Sequence, residues 1–349
     1  MASTPASAQS PTATSEWTYR GGPTVLAGGI VAHNEVRHLE AAVRSLLEQE
    51  LPPGVRWGTI WVISSGSTDG TADLALRLAS KDDRVRVVIE PERKGKSAAI
   101  AEILRRASGA LLVLLNADAV AAPRSVVALL ERADGLEPPF AVMGRPLPPA
   151  RPGAFASAIE LLWELHHRLH VEALTQGVGT HLSDELLLLS LEEAPPLEAG
   201  IINDGAFVGA WLSSHAGTLR YSTRACVAID APTRWRDHLG QRRRIHFGHR
   251  QVSRLVGVSP TTLPGFLRRH PRAAAALLRR ALRARPDGIR SFAYLASAEA
   301  AAFLLSGFDH VRARNHVLWT RISSGPELRH TPPAAARTLA SEAPSVSAE

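Results

Sequence analysis

Between residues 25 and 115, short apolar runs alternate with longer amphipathic ones, and this alternation restricts the fold more than any other feature of the chain. Residues 25–32, 59–63, 85–89 and 111–115 read as strands. Between them Leu39, Val43, Leu46 and Leu47 recur at helical spacing. Residues 71–79 and 97–107 read as two further helices, the first with Ser67 or Thr68 placed to cap it. Strands of about five residues alternating with helices of about ten or more give βαβ units and a mostly parallel α/β sheet. Ligands of such sheets bind beyond the carboxyl ends of the strands. A polar cluster follows each of these ends: His33-Asn34-Glu35, Ser64-Ser65-Gly66-Ser67, Arg93-Lys94-Gly95-Lys96 and Asn116-Ala117-Asp118.

Beyond residue 145 the pattern changes. Residues 154–171 read as one amphipathic helix, and a mixed region follows to about 250. Residues 266–285 hold seven arginines and no acid, residues 292–305 read as a last helix, and a basic, aromatic end lies at Trp319. The Ala/Ser/Thr/Pro/Glu-rich ends, 1–20 and 331–349, read as disordered tails. The expected division is a main domain over 21–260, with a nucleotide-binding half (21–145) and an acceptor half (146–260), and a basic helical extension over 261–330.

The 40 Lys and Arg against 33 Asp and Glu give a net charge of +7, which favours anionic partners. Aromatic residues make up 5% and do not interleave with the arginine run, so no stacking platform for nucleic acid is expected. The single cysteine, Cys226, excludes a cysteine-rich metal fold and suits a reducing, cytoplasmic setting. Residues 1–20 lack the basic start and apolar core of a signal peptide. No uncharged apolar stretch reaches the roughly 18–20 residues of a spanning helix. The nearest, 291–308, carries Glu299.

Several side chains suit chemistry. Asp118 ends an aliphatic strand, where a carboxylate faces the ligand crevice and can hold a hard divalent cation; the competing role is a cap for the next helix. Lys94-Gly95-Lys96 precedes a helix, where ammonium and backbone N–H groups together attract an anion. Asp204, after the apolar Ile201-Ile202, is placed to act as a general base or to form an Asx turn. Gln241-Arg242-Arg243-Arg244 can clamp phosphates or form a solvated face. His166, His167 and His170 share one helix; with no carboxylate to complete a zinc pattern, they read as packing and surface residues.

Taken together, in this order and at these intervals, the clusters resemble the family-2 glycosyltransferases. That family's pattern runs from a Tyr/His-Asn-Glu start through a DDGSTDGT turn and an R-x-GK loop to a DxD motif. Here these are His33-Asn34-Glu35, the turn from Ser64 through Thr71, Arg93-Lys94-Gly95-Lys96 and Asn116-Ala117-Asp118. Asn203-Asp204 and Gln241-Arg242-Arg243-Arg244-Ile245 are similar to the ED and QxxRW motifs of its polysaccharide-synthase-like branch. The resemblance implies a GT-A fold with helices on both faces of the sheet and a helical C-terminal extension. It also implies inverting transfer of a sugar from a nucleoside-diphosphate sugar to a glycan, lipid-linked or small-molecule hydroxyl.

By position, His33, Asn34, Glu35, Ser64 and Ser65 would line the base and ribose pocket, and Lys96 and Asn116 would lie near the nucleotide. Asp118 would ligate Mg²⁺ or Mn²⁺, Asp204 would be the base, and Gln241 and Arg244 would hold the diphosphate or acceptor. For a lipid-linked acceptor, the arginine run would suit peripheral contact with an anionic membrane. The sequence departs from the pattern at Ser64-Ser65, Asn116, Gly205 and Ile245. The departures at Ser64-Ser65 and Gly205 motivate an alternative, a degenerate nucleotide-sugar-binding protein without turnover.

Overall fold

In the computed structural model, which describes residues 18–19, 24–312 and 314–318, the chain forms one eight-stranded sheet between helices. The first half runs β1 (Thr24–Ala32), α1 (Leu39–Leu47), β2 (Val55–Ser65), α2 (Thr71–Ala79), β3 (Val85–Glu90), α3 (Lys96–Arg106) and β4 (Leu111–Asn116). The second half continues with β5 (Ala119–Ala121), α4 (Ser125–Ala133), β6 (Phe140–Leu147), α5 (Ala154–Thr175), β7 (Leu186–Ser190), α6 (Asp204–Ser214) and β8 (Thr218–Ile229). It ends with α7 (Trp235–Val256), α8 (Leu263–Arg269), α9 (Pro271–Arg283) and α10 (Gly288–Val311). The tail expected over 331–349, Trp319, and residues 1–17 of the other tail lie outside the described residues. Tyr19 does not behave as tail: it packs edge-on against Phe140, and its N–H donates to Thr24 Oγ1 at 3.0 Å.

The strand order is β3-β2-β1-β4-β7-β6-β8-β5. The βαβ half is parallel throughout, as its alternation predicts. The second half is mixed, because β7 runs antiparallel to both β4 and β6, and β5 antiparallel to β8. Side chains of alternate strand residues point to opposite faces. Leu111, Val113 and Leu115 meet α1, α2 and α4 on one face, and Leu112 and Leu114 meet α3 and α6 on the other.

Neither Ser67 nor Thr68 caps α2. Gly70, at φ +88°, stands at its N-cap, and the Asp69 carboxylate accepts the Thr71 N–H at 3.1 Å. The arginine run is broken at His270, where α8 ends and Pro271 begins α9. The apolar face of α9 is already occupied, since Leu277 and Ala281 pack with Leu161 and Leu165 of α5. Among the described residues α10 is the one helix long and apolar enough to cross a membrane. Its Leu295, Ala298, Ala302 and Ser306 are nevertheless buried, and the helix lies against α5 and α7.

Charge ties α10 to α7. Arg242 Nε and Nη2 donate to Glu299 at 2.5 and 3.1 Å, His246 Nε2 meets Glu299 at 2.8 Å, and Arg243 forks onto Asp309. Asp309 is 1% exposed. Burial alone would raise its carboxyl, but the bonds from Arg243 and His316 hold it below the ordinary range. Its charged form is therefore stabilising above about pH 4, and that stability fades as pH falls through the lowered folded-state value. Removing one partner of a buried pair costs about 3 kcal/mol. Denaturant unfolding of Arg243→Met should show a loss of that size at pH 7 that shrinks below about pH 4.

Candidate active site

The carboxyl ends of β1, β2 and β4 open into a cavity of about 1430 Å³ that continues between α5, α7 and α10. At the β1 end, His33 lines it. Burial lowers this imidazole, so it is neutral at pH 7, and its Nδ1–H donates to the Ser65 carbonyl at 2.7 Å. Asn34, at φ +58°, ties two loops together: its N–H donates to Ser67 Oγ at 3.2 Å and its Oδ1 accepts from the Thr68 N–H at 2.7 Å. Glu35 lines the cavity, and its N–H donates to Thr71 Oγ1 at 2.8 Å. Gly66 has φ +57°, and a Cβ there would fall 2.6 Å from the Arg93 backbone nitrogen, so only glycine lets the Arg93 loop close over the β2 end.

Lys96 opens α3 and points across the crevice. Its Nζ bonds Asp184 Oδ2 and sits 3.1 Å from Asp204 Oδ2. Burial by itself would lower the ammonium, but the two carboxylates outweigh it and keep Lys96 charged. They divide unequally. Lys96 overcomes the burial of Asp184 and holds it low, whereas burial, aided by the Asp184 charge, raises Asp204. Asp204 is the first residue of α6, whose N-cap Asn203 accepts the Ala206 N–H at 3.0 Å. The Asx role thus falls to Asn203, leaving the Asp204 carboxylate to the site.

Asp118 follows β4, and its carbonyl accepts the Asp230 N–H at 3.1 Å. Burial, then the nearby Glu35 and Asp230 carboxylates, push its carboxyl up to about 6. A half-buried acid surrounded by other acids is stabilised by a cation, and an all-oxygen set of this kind suits Mg²⁺ or Mn²⁺.

The basic run on α7 divides. Arg242 and Arg243 line the cavity but are engaged with Glu299 and Asp309 of α10, so they are not a solvated face. Gln241 and Arg244 line the cavity, and Arg244 Nη2 donates to the Ile202 carbonyl at 2.6 Å.

The histidines of α5 are interior residues, not surface ones. His166 and His170 line the cavity with their Nε2 atoms 3.0 Å apart, and His181, from the segment before β7, stacks on His170. Burial pushes all three far down, His181 to about 4, so they are neutral at pH 7. His167 meets the Tyr221 hydroxyl at 2.9 Å.

Of the residues expected from the sequence, His33, Glu35, Ser65, Lys96, Asn116, Asp118, Asp204, Gln241 and Arg244 line one cavity. Asn34 and Ser64 do not: Asn34 joins the loops, and Ser64 is buried with its hydroxyl on Ser67 Oγ at 3.1 Å. The sequence reading missed Asp184, Glu185 and Asp230. Asp184-Glu185 stands immediately before the apolar run Leu186–Ser190, an acid pair at a strand start. Because β7 is antiparallel to β4, that start lies beside the β4 end, and the Asn116 N–H donates to the Glu185 carbonyl at 3.1 Å.

Comparison with known proteins identifies the region. Residues 29–181 match the family model Glycosyl transferase family 2, which bears out the resemblance there. Glycosyltransferase AglE of Haloferax volcanii is 28% identical over 89 residues, 26% of this chain and 29% of AglE. Glycosyltransferase AglD of the same organism is 33% identical over 103 residues, 29% of this chain and 16% of AglD. The matches thus span under a third of these curated relatives. The mannosyltransferase PcManGT of Pyrobaculum calidifontis, solved with GDP-Man and Mn²⁺, is 19% identical. It superposes with a TM-score of 0.54 over 88% of this chain and 86% of its own. The fold is that of the GT-A glycosyltransferases, with a helical C-terminal region.

Gly205 lets α6 approach the acid pair: a Cβ there would lie 2.7 Å from the Leu182 carbonyl and 3.2 Å from Asp184 Cβ. Crowding of this kind costs about 1–3 kcal/mol. Gly205→Ala should lower the unfolding midpoint accordingly, as thermal unfolding would show.

Proposed function

We propose that the chain is a metal-dependent, inverting glycosyltransferase that moves a hexose from a nucleoside-diphosphate sugar to a hydroxyl acceptor. One observation carries the reading: Asp118, the Lys96–Asp184–Asp204 cluster and Arg244 converge on one cavity at the strand ends of the family 2 region. Residues 21–260 would supply this chemistry, and α8, α9 and α10 would wall the acceptor end, where Phe292 and Glu299 line the cavity.

The residues divide the work as follows. The neutral His33, with Glu35 and Ser65, receives the base and ribose. Asp118 would hold Mg²⁺ or Mn²⁺ on the donor diphosphate, where the ion neutralises the charge of the leaving group. Arg244 adds a fixed positive charge there, and Gln241 a neutral donor. Asp204 takes the proton of the acceptor hydroxyl as that oxygen bonds the anomeric carbon from the face opposite the diphosphate. The bond from the anomeric carbon to the donor oxygen breaks, and the electron pair leaves with the nucleoside diphosphate. Raised by burial, the Asp204 carboxylate is a stronger base than an exposed one. Lys96 keeps Asp184 ionised and fixes the position of Asp204.

Thermal unfolding with UDP, GDP, CDP and dTDP, each with and without Mn²⁺, identifies the donor base, because a ligand of the native state raises the midpoint. One nucleotide should stabilise the protein only with metal, and Asp118→Asn should abolish the effect. Asp204→Asn should keep that stabilisation while kcat falls by about 10²–10⁴-fold. Wild-type turnover should decline as pH falls through the raised Asp204 value, above the ordinary carboxylate range. Stabilisation without turnover on any donor would establish the degenerate binding protein instead.

A lipid-linked acceptor is favoured by the outer surface. Phe303, Leu304, Phe308 and Val311 of α10 are exposed, and the neighbouring α9 exposes Arg272, Arg279, Arg280 and Arg283. Apolar and basic groups together fit the surface of an anionic bilayer. The protein should sediment with phosphatidylglycerol vesicles and not with phosphatidylcholine vesicles, and Phe308→Ser with Val311→Ser should release it. Equal recovery with both vesicle types would refute the contact.

A further inference from the structure

We propose that His166, His170 and His181 form a binding site for a zinc-type divalent transition-metal ion, separate from the carboxylate site at Asp118. One ring nitrogen from each of the three lies within 4.8 Å of the other two. The geometry follows from the sequence spacing. His166 and His170 are four residues apart on α5, so they share a face of the helix and their Nε2 atoms approach to 3.0 Å. His181 comes from the irregular segment between α5 and β7 and lies over His170, with ring centroids 5.7 Å apart and planes within 13°.

Packing alone leaves this cluster unexplained. His170 is only 5% exposed, and the Nδ1 atoms of His166 and His181 are buried with no hydrogen-bond partner among the described residues. Buried polar nitrogens are otherwise almost always bonded, and each one left over costs free energy. Three imidazole lone pairs turned to a common cation would replace the 3.0 Å contact between the Nε2 atoms of His166 and His170, a pair of neutral rings that can share only one N–H there. Zinc–nitrogen distances of about 2.0–2.1 Å place ligating nitrogens about 3.3 Å apart, so closure draws the His181 nitrogen in by up to about 1.5 Å, a movement its irregular segment can supply.

The donor set selects the ion. Imidazole nitrogens suit Zn²⁺, Co²⁺ and Ni²⁺, whereas Mg²⁺ and Mn²⁺ are held by oxygen, as at Asp118. All three histidines line the cavity, which leaves room for a fourth ligand from solvent. Asp184 lies near enough to His166 and His181 for its negative charge to act on both, and it would partly offset the ion. The site stands whether or not the protein transfers a sugar.

The test uses the full chain, stripped with a chelator and titrated calorimetrically with Zn²⁺ alone. Co²⁺ is then substituted to read its visible d–d absorption. One equivalent of Zn²⁺ should bind in the presence of excess Mn²⁺, and Co²⁺ should give the intense bands of a low-coordinate nitrogen site. His181→Gln and His166→Gln should each weaken Zn²⁺ binding at least 100-fold, while Asp118→Asn should leave it unchanged. Absence of a stoichiometric site in wild type would overturn the proposal, as would binding indifferent to His181→Gln or lost in Asp118→Asn. Because His181 stands outside any helix or strand, His181→Gln decides the matter even if a variant on α5 fails to fold.

Discussion

The architecture of the crevice depends on a half-buried ammonium, that of Lys96. Lys96 stands between Asp184 and Asp204, and these three residues come from the starts of α3, β7 and α6. Two carboxylates this close repel, and burial raises the cost of charging either. One lysine between them offsets both effects, so three elements that meet nowhere else in the sequence are held at one point. The same charge makes the two acids different: Asp184 is kept ionised, and Asp204 is left as the one whose proton affinity rises. The difference in proton affinity between these two carboxylates thus arises from the geometry around Lys96, not from any difference in residue type.

Around that point two kinds of donor set line one cavity. On the strand-end side the donors are carboxylate oxygens, on Asp118 with Glu35 and Asp230 nearby. On the helical side they are the imidazoles of α5 and the segment after it. Asp184 is electrostatically coupled to both Lys96 and the histidines, so the two sides share an acid.

The βαβ half was legible because its information is local. Apolar runs of strand length, helical spacing at Leu39, Val43 and Leu46, and polar residues at strand ends are each confined to a few neighbouring positions, and the helix Thr71–Ala79 has the bounds that its pattern predicts. The second half was less so because its information is relational. Asp184-Glu185 falls at the beginning of a strand, and only the antiparallel pairing of β7 with β4 carries it to the strand ends of its neighbours. Arg242 and Arg243 look like phosphate ligands until α10, more than 50 residues later, presents Glu299 and Asp309. His166 and His170 look like packing residues until His181 arrives from outside their helix. In each case the missing partner lay beyond the reach of any spacing rule. Asn34 shows the converse: its motif position suggested a ligand contact, whereas its left-handed backbone and two bonds to the β2 turn make it a brace.

The antiparallel insertion of β7 also bears on the order in which the molecule can be completed. Strands β1 to β4 pair only with one another until β7 arrives, so the parallel half can assemble as soon as residues 24–116 have left the ribosome. Lys96 is then present without either counter-ion, since Asp184 follows it by 88 residues and Asp204 comes later still. The pairing of β7 with β4 therefore does two things at once: it extends the sheet, and it brings Asp184 to Lys96.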